Sequence, residues 1–205
     1  MRVAALYDVH GMPWALEAVL AESGDVDAIV VGGDFLCGPY EDETFELVSS
    51  LDAVLVRGNC EDGDPRTASL PLTAELDGVV YCHATPADNA LMTTAITPEA
   101  DLVALFGDSG TFVIGHTHHQ FDRRVGDLRV VNAGSVGMAY ESRVAAFWAL
   151  IEDGEPQFRS TPFDVQLAVD RVRASDWPQR EEFAVENLLA AVSRDEAIAH
   201  FEAQR

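Results

Sequence analysis

Lysine is absent from this 205-residue chain. All 13 basic residues are arginine, set against 35 aspartates and glutamates, for a formal net charge of −22. A field of that sign repels nucleic-acid phosphates and anionic lipid surfaces, so nonspecific binding to either is disfavoured. High-salt adaptation or simple solubility would produce the same excess. Long apolar runs are also missing. None approaches the roughly 20 residues that a membrane helix needs, and no basic segment leads into an apolar one at the start, where MRVAALYDVH reads as a first strand. A cytoplasmic location is the expectation. Cysteine is scarce: Cys37, Cys60 and Cys82 form neither an even set nor a C-x-x-C pair. A disulfide framework or zinc ribbon is therefore disfavoured, and each thiol reads first as a small buried hydrophobe.

What remains is an ordinary globular composition, 48% hydrophobic, in a length that fits one domain with a substantial core. The first third alternates. RVAALY (2–7), DAIVV (27–31) and AVLVR (53–57) are strand-like, with helix-like MPWALEAVLAE (12–22) and EDETFELVSSL (41–51) between them. This rhythm predicts parallel strands joined by crossover helices. Beyond residue 70 the pattern changes. LTAEL (72–76) and GVVYCHA (78–84) flank Asp77-Gly78, a hairpin turn pair. A helical PEADLVALF (98–106) precedes TFVIG, QFDRRV, LRVVNAG and RVAAFWALI, short strands that read as antiparallel. Two strand-rich halves in series predict two sheets packed face to face with helices outside. The tail is helical: DVQLAVDRVRA (164–174) sets Val165, Val169 and Val172 on one stripe, and Ser193 to Glu196 has capping-box spacing before AIAHFEA.

Chemistry concentrates at the carboxyl ends of the strands. Asp8-Val9-His10 follows the first, Gly32-Gly33-Asp34 the second and Gly58-Asn59 the third; His83 ends GVVYC, and Gly115-His116-Thr117-His118-His119 follows TFVI. Ligands of open α/β sheets bind just outside these strand ends, so the groups are expected to converge. In extended backbone, residues i and i+2 point the same way, which would aim Asp8 with His10 and His116 with His118. Each piece alone has an ordinary explanation. A Gly-Asp carboxylate often caps the next helix, Gly-Asn is first a turn, and a lone His83 is more often a satisfied, partly buried histidine. Five such coincidences at strand ends, in order, are hard to assemble by chance.

With these motifs in place, the chain resembles the calcineurin-like metallophosphoesterases, which carry Asp-x-His, Gly-Asp, Gly-Asn, His and Gly-His-x-His in the same order. The resemblance extends to GMPWALEAVLAE, GDFLCGPY, QFDRR and NAGSVGMAY, and covers about residues 1–150. It implies a four-layer α/β/β/α sandwich of two mixed sheets flanked by helices. Residues 1–160 would form the core and 161–205 a helical extension packed on the same domain. It further implies two divalent transition-metal ions. Asp8, His10 and His118 would hold one, Asn59, His83 and His116 the other, and Asp34 would bridge. His119 lies outside the pattern and is expected either behind the ligands in a supporting place or at the solvent-exposed rim. The implied reaction is hydrolysis of a small phosphodiester or phosphomonoester by a metal-bridging hydroxide attacking phosphorus in line. Two cations would also reverse the charge of a pocket that otherwise offers phosphate only carboxylates and imidazoles. A mixed His/Asp/Asn set suits Mn²⁺, Fe, Co²⁺, Ni²⁺ or Zn²⁺ better than Ca²⁺ or Mg²⁺, and the family favours manganese.

One position departs from many relatives: Cys60 follows Gly58-Asn59 where a histidine often serves the leaving group. Cys60 is a poor acid at an ordinary pKa near ~8.5, which leaves Glu61, Asp62 or a metal-bound water for that task. The expected partner is a small phosphoester, with no membrane and with nucleic acid disfavoured, and the sequence is compatible with a homo-oligomer. The alternative is a non-catalytic binding or scaffold protein on the same fold. Such proteins tend to lose ligands, whereas all seven are kept here.

Overall fold

In and just after the first strand, β1 (Arg2–Leu6), apolar residues sort by parity. Val3, Ala5 and Tyr7 join one buried cluster; Ala4 and Leu6 join another. A strand covered on both faces must lie between layers. The structure, a computed structural model describing residues 1–205, contains those layers. β1 is followed by α1 (Pro13–Ser23), β2 (Ala28–Val31), α2 (Glu41–Ser50) and β3 (Ala53–Leu55). β1, β2 and β3 are parallel neighbours, as the alternation predicts.

The second sheet takes β4 (Thr73–Leu76), β5 (Val79–Cys82), β6 (Ser109–Ile114), β7 (Phe121–Val125) and β8 (Asp127–Asn132), in the order β4-β5-β6-β8-β7. The Asp77-Gly78 turn forms as read, with positive φ at both residues (53° and 75°) and Leu76 paired to Val79. The antiparallel expectation for this half holds only at its edges. β5 runs parallel to β6 because α3 (Glu99–Phe106) carries the chain back between them, and β6 runs parallel to β8 because the oppositely directed β7 intervenes. The chain then returns. β9 (Ala146–Glu152) pairs antiparallel with β1, and β10 (Glu155–Thr161) with β9, so the first sheet reads β10-β9-β1-β2-β3. Two mixed five-stranded sheets result, the second from five consecutive strands and the first completed by segments distant in sequence.

Three apolar clusters glue four layers together. Ala4, Leu6 and Val31 meet Leu16 and Val19 of α1 and Val48 of α2 on the outer face of the first sheet. Val3, Ala5 and Val30 meet Val79, Tyr81, Val113 and Val131 between the sheets. Cys82, Ile114, Leu128 and Val130 meet Leu102 and Phe106 of α3 on the far side. Tyr7, fully buried, donates its hydroxyl to the Val113 carbonyl at 2.7 Å and so ties the two sheets together near the strand ends.

After β10 come α4 (Val165–Ala174), α5 (Arg180–Phe183) running into a π-helical turn (Ala184–Leu189), and α6 (Arg194–Gln204). Asp164 caps α4 by accepting from Leu167 N at 2.9 Å; Ser193 caps α6 by accepting from Glu196 N at 3.4 Å. Ala168, Val169, Val172, Phe183, Ala184 and Leu188 belong to the same cluster as Leu6 and Leu16. No helix is long and apolar enough to cross a membrane.

Candidate metal centre

The strand ends deliver their side chains to one place. β1 ends two residues before Asp8, β2 three before Asp34, β3 four before Asn59, β5 directly before His83 and β6 two before His116. Asp8, His10 and His118 have ligand atoms within 4.8 Å of one another, and so do Asp34, His83 and His116; Asp34 also groups with His10 and Cys60. Thus Asp34 stands between two clusters. His10 Nε2 is 4.0 Å from Asp34 Oδ2 on one side, and His83 Nε2 is 3.3 Å from the same oxygen on the other. Asn59 opens a 3₁₀ turn (Asn59–Glu61), and its buried Oδ1 has no hydrogen-bond partner.

The aim of these side chains does not come from extended backbone. Asp8, His10, Asp34, His116 and His118 all have φ between 48° and 67°. Left-handed backbone is disfavoured for residues with a Cβ and persists only where the surroundings enforce it, most often at functional sites. The i, i+2 expectation for Asp8/His10 and His116/His118 is therefore corrected. Each pair lies past its strand, where the chain coils so that both side chains return to the centre.

Backbone and polar contacts supply the enforcement. Glu61 is fully buried and accepts from Asp34 N (2.7 Å), Gly58 N (2.8 Å), Phe35 N (3.0 Å) and Leu36 N (3.1 Å). It locks the Gly33-Asp34 loop to the Gly58-Asn59 loop, so it is a structural acceptor and not the leaving-group acid that the sequence left open. Asn132 donates to Gly115 O (2.6 Å) and Thr117 Oγ1 (3.1 Å), shaping the histidine loop. Ser135 Oγ donates to Asp8 O at 2.8 Å. Both lie in NAGSVGMAY, whose task is set by these contacts with distant loops. Two glycines are forced by close approach. A Cβ on Gly115 would sit 2.4 Å from Asp8 Oδ2, and one on Gly33, where φ is +96°, 2.6 Å from Gly58 N.

His119 takes the supporting place and not the exposed rim. It is fully buried, donates from Nδ1 to Thr117 O at 2.7 Å and accepts from Ala95 N at 3.3 Å. Burial holds its pKa down to about 4. It braces the loop and faces no solvent. Asp62, with one oxygen near Arg57 (3.4 Å) and the other accepting from Asn89 (3.2 Å), remains at the surface.

Electrostatics test whether cations fit. His118 Nδ1 faces Met138 O at 2.8 Å, His83 Nδ1 faces Gly32 O at 3.0 Å and His116 Nε2 faces Ala90 O at 3.0 Å. A carbonyl only accepts, so these nitrogens carry the ring hydrogens, and in the neutral rings the opposite nitrogen is a bare lone pair. Those lone pairs point at carboxylates: His118 Nε2 is 3.3 Å from Asp8 Oδ1, and His83 Nε2 is 3.3 Å from Asp34 Oδ2. Asp8 Oδ1 is buried without any hydrogen bond. Acceptor facing acceptor is repulsive unless a proton or a cation lies between. The protons respond accordingly. Burial opposes charge on His83, but Asp34 and Asp8 outweigh it and raise the pKa to about 9. Burial and the neighbouring His118 push His10 down to about 4, and burial with His83 lowers His116. Burial likewise opposes ionisation of Asp8 and Asp34, yet His118 and His83 respectively keep both carboxyls below the usual range. Imidazole nitrogens and anionic oxygens gathered out of water are a donor set that suits divalent transition metals.

No curated protein matches the chain. Solved structures do. A metallophosphoesterase from Sphaerobacter thermophilus superposes with a TM-score of 0.77 at 23% identity, over 94% of this chain and 100% of that one. The phosphoesterase Yfce from E. coli gives a TM-score of 0.53 at 20% identity, over 80% and 100%. An archaeal phosphodiesterase gives 0.51 at 17%, over 78% and 98%. At these identities the likeness establishes the fold. Residues 1–152, which hold every motif described above, match the model of the calcineurin-like phosphoesterase superfamily domain, and the chain belongs to that superfamily.

Proposed function

We propose that this protein is a binuclear metal-dependent phosphoesterase acting on a small phosphodiester or phosphomonoester. The observation that carries the reading is the convergence of Asp8, His10 and His118 in one group and of Asp34, His83 and His116 in another, with ligand atoms within 4.8 Å in each, beside the partnerless oxygens Asp8 Oδ1 and Asn59 Oδ1. Asp8, His10 and His118 would hold one cation, Asn59, His83 and His116 the other, with Asp34 shared. Bound there, two divalent cations would supply Lewis acidity at the phosphoryl oxygens and lower the pKa of water. Manganese is our choice, with Fe, Co²⁺, Ni²⁺ and Zn²⁺ as alternatives suited to the same donors.

The chain's own contribution is positioning. The carbonyls of Met138, Gly32 and Ala90 fix which nitrogen each imidazole presents, and Glu61 fixes the distance between the Asp34 and Asn59 loops. Cys60 Sγ, 4.0 Å from His10 Nδ1, stands where many relatives place a histidine. The adjacent Cys37 thiol, followed by burial, holds its own pKa well above the ordinary thiol value. It is a poor proton donor, so esters with good leaving groups should be favoured. The net charge of −22 makes a small molecule a better partner than nucleic acid. The test is hydrolysis of bis-p-nitrophenyl phosphate with Mn²⁺ by the wild type and by Asp34→Asn. Loss of the bridging ligand should lower the rate about a hundredfold or more, since supporting contacts alone are worth 10–100-fold. Equal rates in both proteins, or none in either across several metals and esters, would contradict the reading.

A further inference from the structure

Two clefts open beside the centre, one lined by His10 and the other by Tyr140, whose ring packs on His118, and the C-terminal helices build their outer walls. The larger, about 440 Å³, is lined by Tyr140 and Phe201 with Glu186 and Glu196. The smaller, about 300 Å³, is lined by His10 itself with Trp177 and Glu182. Met138, Glu186 and Asn187 line both, so the two are halves of one depression that starts at a candidate ligand.

Its chemistry differs from that of the centre. An aromatic run leads outward. The His118 and Tyr140 rings are 4.9 Å apart, and those of Tyr140 and Phe201 are 6.0 Å apart. Glu186 and Asn187 project from the π-helical turn Ala184–Leu189, a rare geometry that recurs at functional sites. No arginine lines either cleft. That is notable in a surface where Arg66, Arg129, Arg171, Arg173, Arg194 and Arg205 all pair with acidic groups. Glu182 and Glu186 are left without a cationic partner. Aromatic faces together with unpaired carboxylates attract organic cations and repel further phosphates or carboxylates.

We propose that the segment from Trp177 to Phe201 forms the subsite for the organic half of the substrate. We further propose that it selects an alcohol bearing a compact ammonium group, esterified to the phosphate that the metal centre takes. The inference rests on the phosphoesterase reading. Glu182 and Glu186 act here as specificity residues: they touch the ammonium group, not the reacting phosphorus. Nucleotides and other polyanions are poor substrates on this account, because their extra charge would face the same two glutamates.

The test separates the subsite from the catalytic reading. Turnover of p-nitrophenyl phosphorylcholine is compared with that of p-nitrophenyl 3,3-dimethylbutyl phosphate, which replaces the quaternary nitrogen by carbon. Binding of choline is compared with that of 3,3-dimethylbutanol by calorimetry on the full chain without added metal. The cationic member should be preferred by about tenfold in kcat/KM and in affinity. The preference should vanish in Glu182→Gln/Glu186→Gln and persist in Glu46→Gln, which removes a distant surface charge. A preference of unity, absence of choline binding, or a preference surviving the double substitution would overturn the proposal. Failure of both esters to turn over would strike the phosphoesterase reading alone, and the binding pair would still decide the subsite.

Discussion

Aspartate 34 receives its position from a residue that binds no cation. Glu61 holds four backbone N–H groups in a site closed to water. Two of its contacts, to Asp34 N and Gly58 N, cross between loops that each carry a ligand. Truncation in Glu61→Ala strands four buried donors at about 1–3 kcal/mol apiece, softened by relaxation, so unfolding in urea should show a loss of about 3 kcal/mol or more. A midpoint unchanged from the wild type would mean that the loops hold themselves. A second substitution probes the tight approach at the histidine loop. Gly115→Ala drives a methyl group to 2.4 Å from Asp8 Oδ2 and should cost about 1–3 kcal/mol. Because the strain falls on Asp8, a proposed ligand, metal retained through gel filtration should drop as well. Full retention would show that Asp8 moves aside freely.

Among the elements, the C-terminal helices differ from an appendage in what they bury. Val169, Val172, Phe183 and Leu188 share a cluster with Leu6 and Leu16. Leu188→Ala should therefore destabilise the whole cooperative unit by about 2–5 kcal/mol, visible as one shifted transition. A separate early transition with the main one unmoved would show that the helices unfold alone. How far the elements could be read from sequence depends on where their determinants lie. The β-α-β-α-β start and the Asp77-Gly78 hairpin are local, encoded in periodicity and turn chemistry, and both stand. Asp153-Gly154 makes the same turn, with φ of 51° and 79°. Yet β10 went unread, since an edge strand with Pro156, Gln157 and Arg159 shows no apolar alternation. Sheet membership is not local at all. Nothing within AFWALIE distinguishes a neighbour of β1 from a neighbour of β8. The gathering of Asp8, Asp34, His83 and His116 was legible because each ends or closely follows a strand-like run. The left-handed backbone, the burial of His119 and the work of Glu61 were not, because all three depend on contacts between loops far apart in the chain.

At the scale of the molecule, a charge of −22 with no lysine makes the surface self-repelling. Screening should relieve that strain, so the melting temperature should rise as sodium chloride increases from about 20 mM to about 500 mM, where the Debye length shrinks several-fold. A flat response would mean that the arginine pairs already neutralise the field. The same charge surrounds a pocket that is a poor home for phosphate until cations enter it, so the account stands or falls on metal. The most direct measurement is the number of divalent cations bound per chain, by elemental analysis and calorimetric titration with Mn²⁺, in the wild type and in Asp34→Asn. Two equivalents in the wild type, falling to one or fewer in the variant, is the predicted result. Fewer than two in the wild type, or two in both proteins, would contradict the shared-carboxylate centre.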